Sequence, residues 1–260
     1  MEERKYIVLQ GAPGTGKTRL AKLLTENANS ENVFFTQFHA ETSYADFVYG
    51  ILPNVDSKNQ LLYTQNDGIF VKAIERANNR PYESVYLIID EINRANLSNV
   101  LGQAFYLFEP TMADSNVEVY VTPKLKLSKL PENLYVIATM NTADRSLAVV
   151  DFALRRRFAW YTMTPHTITP DYGYYFAKQQ FDKISEIFEK YATDDELNLQ
   201  PGHAYFIARD TANREAIIKN RLKYEVMPLV KEYLINGIMT RAKDDFVGFF
   251  RDEINEEIFK

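Results

Sequence analysis

The chain has 260 residues, 46% hydrophobic, 13% aromatic and 25% charged, a globular make-up that excludes fibrous and disordered classes. It has no cysteine and three histidines, which excludes disulfide frameworks, thiol nucleophiles and cysteine-bound metals. Its net charge of −5 argues against bulk attraction to nucleic acid or an anionic membrane, and apolar runs such as Val85–Ile89 fall far short of the roughly 20 residues of a membrane helix.

In chain order, β-branched and aromatic runs alternate with helical patterns. Lys5–Gln10, Val33–Phe38, Val85–Asp90, Leu134–Met140 and Ala159–Met163 read as strands. Lys17–Asn29, Gly68–Asn79, Leu97–Phe108 and Ser146–Leu154 read as helices between them, with a small hairpin over Val117–Leu127. Such alternation predicts an α/β fold with a parallel sheet covered by helices. Around Thr162–Asp171, with Pro165 and Pro170, the pattern becomes that of a linker. Tyr174–Tyr191, Thr211–Asn236 and Asp244–Phe259 then read as helices, the middle one bent or interrupted at Pro228. Phe246, Phe250, Ile254 and Ile258 recur every four residues as an apolar stripe. Residues 1–164 are thus expected to form a nucleotide-binding α/β domain and residues 165–260 a small helical domain. The second holds 17 acidic against 13 basic residues, so its surface is the more acidic. Composition and the lack of a leader-like segment predict a soluble, cytoplasmic protein.

The strongest chemical signal is Gly11-Ala-Pro-Gly-Thr-Gly-Lys-Thr18 between a strand and a helix. It fits the phosphate-loop pattern, in which glycines let successive N–H groups point at phosphate oxygens and the next helix adds its positive end. Gly11, Pro13, Gly14, Thr15 and Gly16 form the cradle. Lys17 reaches the β- and γ-phosphates and the Thr18 hydroxyl binds Mg²⁺. An apolar strand ending in Asp90 and Glu91 carries two acids to the carboxyl edge of the sheet. There Asp90 serves the metal and Glu91 polarises water. Alone, two such acids read as a solvated strand end; a phosphate loop upstream changes that reading. Asn141, in Met140-Asn-Thr-Ala-Asp-Arg145, follows another apolar strand and is placed to orient water or touch the γ-phosphate. Arg155, Arg156 and Arg157 close a helix, where they complement its dipole, join surface ion pairs or supply an arginine finger to a neighbouring subunit.

GAPGTGKT, IIDEINRANLSNV, MNTADRSLAVVDFALRRRF and PGHAYF occur in this order, with QFHAETSYADF as a weaker match. On these motifs the chain resembles AAA+ proteins and, within them, the McrB-like GTPase subunits of modification-dependent restriction systems. The resemblance implies a three-layer αβα sandwich followed by a helical lid, nucleotide at subunit interfaces, a hexameric ring, and GTP with Mg²⁺. It also implies a McrC-like nuclease partner that cleaves DNA and stimulates hydrolysis. It makes Asp90 and Glu91 the Walker B acids and Asn141 the sensor, with Asp144 and Arg145 completing the McrB signature. Arg156 or Arg157 becomes the trans-acting finger; Arg155 stays open, one helical residue and about 100° away.

The chain departs from that pattern in places. Gln103 stands where the family's Gly-Glu pair has an acid, and no Asn-Lys-x-Asp element reads guanine, so GTP or ATP remains open from the residues. Arg209, Arg214 and Arg221 are unranked candidates for a second lid sensor, and His203 takes no derived role. The first strand begins soon after Met1, which suggests either an isolated motor domain or a member that borrows its recognition elsewhere, contacting DNA weakly or indirectly. No nuclease constellation is visible. Two further readings compete: a MoxR-like ATPase that remodels proteins, and a nucleotide-gated assembly module with little turnover.

Overall fold

A run of β-branched residues with both faces apolar cannot be satisfied at a sheet edge, and Val85–Asp90 accordingly lies inside one. The computed structural model describes residues 4–55, 61–109, 117–143 and 152–259. Chain order runs β1 (Tyr6–Gly11), α1 (Lys17–Leu23), β2 (Val33–Gln37), α2 (Tyr44–Phe47), β3 (Tyr49–Val55), β4 (Leu61–Asp67), α3 (Ile69–Asn79), β5 (Val85–Asp90), α4 (Leu97–Leu101), β6 (Val119–Tyr120), β7 (Lys126–Leu127), β8 (Leu134–Asn141), α5 (Phe152–Arg157) and β9 (Ala159–Met163). The five-stranded sheet has the order β2-β5-β8-β1-β9. β5 pairs in parallel with β2 on one side and β8 on the other, Ile88 facing Phe35 and Ile137. The fold is α/β with a parallel sheet, followed by a helical C-terminal region.

Two compact units emerge. One comprises the chain up to Gln10 together with Thr18–Thr162; the other comprises Gly11–Lys17 together with the chain from Met163 onward. The first unit's core is aromatic along its length. Phe38, Phe47, Phe70, Phe108 and Phe158 touch in series at centroid distances of 5.1, 5.4, 5.7 and 5.4 Å. All five rings are almost fully buried, where aromatic pairs add about 0.5–1.5 kcal/mol each beyond their area.

The second unit contains β10 (Tyr174–Phe176), α6 (Lys178–Tyr191), α7 (Asp194–Leu197), β11 (Ile207–Arg209), α8 (Arg214–Arg221), α9 (Met227–Ile235) and α10 (Lys243–Ile254). Phe181, Phe188, Phe206, Val226, Val230, Phe246 and Phe250 are its buried centre. The apolar stripe of α10 is therefore core, and the helix ends where Asn255 turns left-handed at φ 56°. Pro228 is preceded by one π-helical turn, Leu222–Val226. A proline has no N–H to give the preceding turn, and the wider turn accommodates it.

Several elements differ from the sequence expectation. Tyr174–Phe176 is a strand, because it pairs antiparallel with β11, Tyr175 opposite Ala208. α1 stops at Leu23; the Thr25 hydroxyl bonds the Lys22 carbonyl and turns follow to Ala28, the usual competition of threonine with helix backbone. The helix expected over Leu97–Phe108 is α-helical only to Leu101 and 3₁₀ thereafter. The β3–β4 hairpin, Tyr49 opposite Asp67 and Pro53 opposite Tyr63, is not among the elements expected from the sequence. Of the helix expected over Ser146–Leu154, the first residues lie outside the described ones. Among the described residues, no helix is long and apolar enough to cross a membrane.

Candidate nucleotide site

Gly14 and Gly16 take φ of 77° and 85°, a region that costs other residues about 1–2 kcal/mol, so the loop's curve depends on them. Inside the curve, the Lys17 ammonium donates to the carbonyls of Gly11 at 2.9 Å and Ala12 at 2.8 Å. Its side chain is only 8% exposed, so the charge is held in the loop's concavity rather than in solvent. Thr15 is fully buried and its hydroxyl closes the loop on the Ala12 carbonyl at 2.9 Å. Pro13 and Gly14 offer their carbonyls to the N–H groups of Gly202 and Ala204, at 2.8 and 2.9 Å.

The acids are held differently. β5 ends at Asp90, whose Oδ1 accepts two hydroxyls: Thr18 at 2.8 Å and Thr139, on β8, at 2.6 Å. Thr139 also accepts the N–H of Glu91 at 3.1 Å. Glu91 has a left-handed backbone, φ 56° and ψ 49°, which strains a non-glycine residue and commonly marks functional positions. Its carboxylate lies 3.5 Å from Arg94. Thr139 thus holds the Asp90 carboxylate and the Glu91 peptide through one hydroxyl. Sequence reading missed it, since a threonine inside an apolar strand reads only as a strand former.

Asn141 closes β8; its Oδ1 accepts the Ala143 N–H at 3.1 Å and its carbonyl accepts the Asn93 amide at 3.3 Å. Asp144 and Arg145 lie outside the described residues. The three arginines separate clearly. Arg157 is 8% exposed, paired with Glu109 at 2.7 Å and stacked 4.1 Å from the Phe105 ring centre. Arg155 lies over Trp160 at 5.0 Å. Arg156 is exposed, and no ion pair of it occurs among the described residues. Arg157 is thus buried against its own chain, while Arg155 and Arg156 are both exposed.

The residues fit a nucleoside triphosphate and a divalent cation. Thr18 and Asp90 supply the hard oxygen donors that Mg²⁺ takes, one hydroxyl and one carboxylate. The positive-φ glycines give the loop the curl of a phosphate-cradling backbone. Among the described residues, no cluster of three or more metal-ligating side chains offers an alternative metal centre.

The family model for the AAA domain of the dynein-related subfamily matches residues 6–158, and the chain belongs to this family of nucleoside triphosphate hydrolases. More particularly, it is similar to the EcoKMcrB subunit of the type IV methyl-directed restriction enzyme of Escherichia coli K12. The two are 35% identical over 262 residues, covering 92% of this chain and 56% of that protein. It is also 27% identical over 189 residues to the YdiS component of the type II restriction enzyme BsuMI of Bacillus subtilis 168, covering 59% of this chain and 55% of that protein. The chain thus spans about half the length of the curated relatives it matches.

Proposed function

We propose that this chain is the Mg²⁺-dependent, GTP-preferring motor of a modification-dependent restriction complex, hydrolysing nucleotide in a homo-oligomeric, hexameric ring in the cytoplasm. Residues 1–164 are its nucleotide-binding domain and 165–260 its lid. DNA cleavage belongs to a McrC-like nuclease partner, and the chain's own contact with DNA is weak or indirect. The likeness to one subunit of a restriction enzyme supports the restriction role and a partner; the guanine preference follows the motif resemblance. The observation that carries the catalytic reading is the convergence of the Thr18 and Thr139 hydroxyls on one oxygen of Asp90, beside the strained Glu91.

Each residue then has a task. Lys17 gives up its two carbonyl partners and places its ammonium on the terminal phosphates, a charge-assisted contact stronger than the ones it leaves. Thr18 and Asp90 would hold Mg²⁺, which would supply charge neutralisation to the phosphates. Thr139 keeps the Asp90 carboxylate turned toward Thr18 and fixes the peptide of Glu91. Glu91 accepts a proton from the attacking water and Asn141 orients that water. Arg156 offsets charge on a neighbouring subunit's nucleotide.

Steady-state hydrolysis of GTP and ATP by the purified chain, with Mg²⁺ and over a range of protein concentrations, tests this reading. GTP preference, with specific activity rising with concentration, is the expected result. ATP preference would move the chain to the protein-remodelling ATPases. Tight binding without turnover at any concentration would make it an assembly module instead.

A further inference from the structure

Gly202 has ordinary backbone angles, φ −70° and ψ 164°, which any L-residue adopts. Its conformation therefore does not call for glycine. Its surroundings do: a Cβ there would lie 2.1 Å from the Gly14 carbonyl carbon, 2.2 Å from the Gly14 oxygen and 2.3 Å from the Thr15 nitrogen. What forbids a side chain at Gly202 is the phosphate loop itself.

The contact is a bonded one. Gly202 and Ala204 donate their N–H groups to the carbonyls of Pro13 and Gly14. The Tyr205 ring covers Gly14 so closely that a Cβ on that glycine would lie 2.8 Å from it. Burial, with the nearby Glu225 charge, raises the Tyr205 phenol above its ordinary pKa, so the ring stays neutral against the loop. On the other side of the turn, the Nη1 of Arg221 donates to the Ala204 carbonyl at 2.6 Å. The Ala204 residue is therefore held at both ends, its N–H by the phosphate loop and its C=O by a charged donor from the end of α8. Of the three sensor candidates Arg209, Arg214 and Arg221, this one bonds the turn that meets the loop. Arg214 is spent on Asp210 and the Tyr175 ring, and Arg209 is exposed.

We propose that Gly202, Ala204 and Arg221 are positioning residues for the phosphate loop. Arg221 pins the turn, and the turn pins the backbone of Pro13 and Gly14 in the curve that receives phosphate. Holding the loop ready lowers the ordering cost that binding otherwise carries. By linkage, phosphate bound in the loop tightens the same turn and is felt at the end of α8. This rests on the reading that the loop binds a nucleoside triphosphate.

The test combines titration with a fluorescent GTP analogue, amide hydrogen exchange and thermal unfolding, on wild type, Arg221→Ala, Arg221→Lys and Gly202→Ala. Arg221→Ala is expected to weaken binding about tenfold and to speed exchange at the Gly202 and Ala204 amides, with the global unfolding temperature little changed. Arg221→Lys, still a charged donor, recovers most of the affinity. Gly202→Ala weakens binding more, although alanine suits its backbone angles. In wild type, bound nucleotide slows exchange at Gly202 and Ala204. Wild-type affinity in Arg221→Ala with unchanged exchange at the turn would overturn the proposal. So would a loss of affinity that Arg221→Lys does not relieve and that accompanies faster exchange throughout the second unit. A wild-type chain that binds no triphosphate would instead overturn the function proposed above, while faster exchange at the turn in Arg221→Ala would still uphold the pinning.

Discussion

The phosphate loop and the acid-bearing end of β5 are fixed by opposite means. The loop, grouped with the C-terminal unit, is held through backbone: carbonyls of Pro13 and Gly14 bonded to N–H groups of a distant turn, and glycines that exclude side chains at the contact. The Asp90 carboxylate is held through side chains: the hydroxyls of Thr18, on α1, and Thr139, on β8, both reach its Oδ1. A backbone contact tolerates change of side chain but not addition of a Cβ. A side-chain contact behaves in the reverse way. The two regions therefore respond to different substitutions.

The largest expected effect lies in the first unit. Arg157→Ala leaves Glu109 without its buried cation, and removal of one partner from such a pair costs about 3 kcal/mol. Urea unfolding measures it. A loss below about 1 kcal/mol, together with collapsed hydrolysis, would return Arg157 to the role of trans-acting finger. Next, Lys17→Ala removes charged hydrogen bonds of about 1.5–3 kcal/mol, so triphosphate affinity should fall roughly ten- to 150-fold while the sheet's stability is untouched. Isothermal titration beside unfolding separates the two quantities.

A smaller effect sharpens the contrast. Thr139→Val keeps the shape but deletes the hydroxyl shared by Asp90 and the Glu91 N–H, an exchange that costs about 1–3 kcal/mol at a buried polar site. Hydrolysis should fall with triphosphate affinity nearly unchanged, the mirror image of Lys17→Ala. Equal loss of both would mean that the two regions are not held independently. Arg156→Ala, at an exposed position, should alter stability by no more than about 0.5 kcal/mol. It should nevertheless lower turnover where the chain self-associates, as seen in hydrolysis across protein concentration.

The least effect is a surface one. Hydrogen bonds from Lys5 and Lys129 lower the Glu132 carboxyl from 4.5 to about 2. A lowered carboxylate stabilises the fold above its unfolded value and loses that contribution as pH falls toward about 2. Glu132→Gln should therefore slightly reduce stability at pH 7, match wild type near pH 2, and lose its effect in high salt.

Local chemistry was legible in the sequence; close approach was not. Val85–Asp90 and Ala159–Met163 announce themselves by β-branched and aromatic runs, and both strands have the bounds expected of them. Thr18 and Asp90, assigned to one cation by motif spacing, are hydrogen-bonded. Thr139 is invisible because nothing in its strand distinguishes a hydroxyl turned to Asp90 from one turned elsewhere. The β3–β4 hairpin escapes because Tyr49–Val55 carries Gly50, Pro53 and no regular alternation. Gly202 looks like a simple turn glycine until Gly14, far away in sequence, is found against it. The arginine triplet shows the same limit: three identical residues in a row acquire three different environments only from Glu109, Phe105 and Trp160.

The most direct test of the account is single-turnover hydrolysis of Mg²⁺–GTP by wild type and Glu91→Gln at saturating protein. The variant is expected to bind GTP as tightly as wild type and to hydrolyse it at least about 100-fold more slowly, the usual range for loss of a general base. Hydrolysis at the wild-type rate would contradict it, and would remove Glu91, with its strained backbone and its bond to Thr139, from the chemistry.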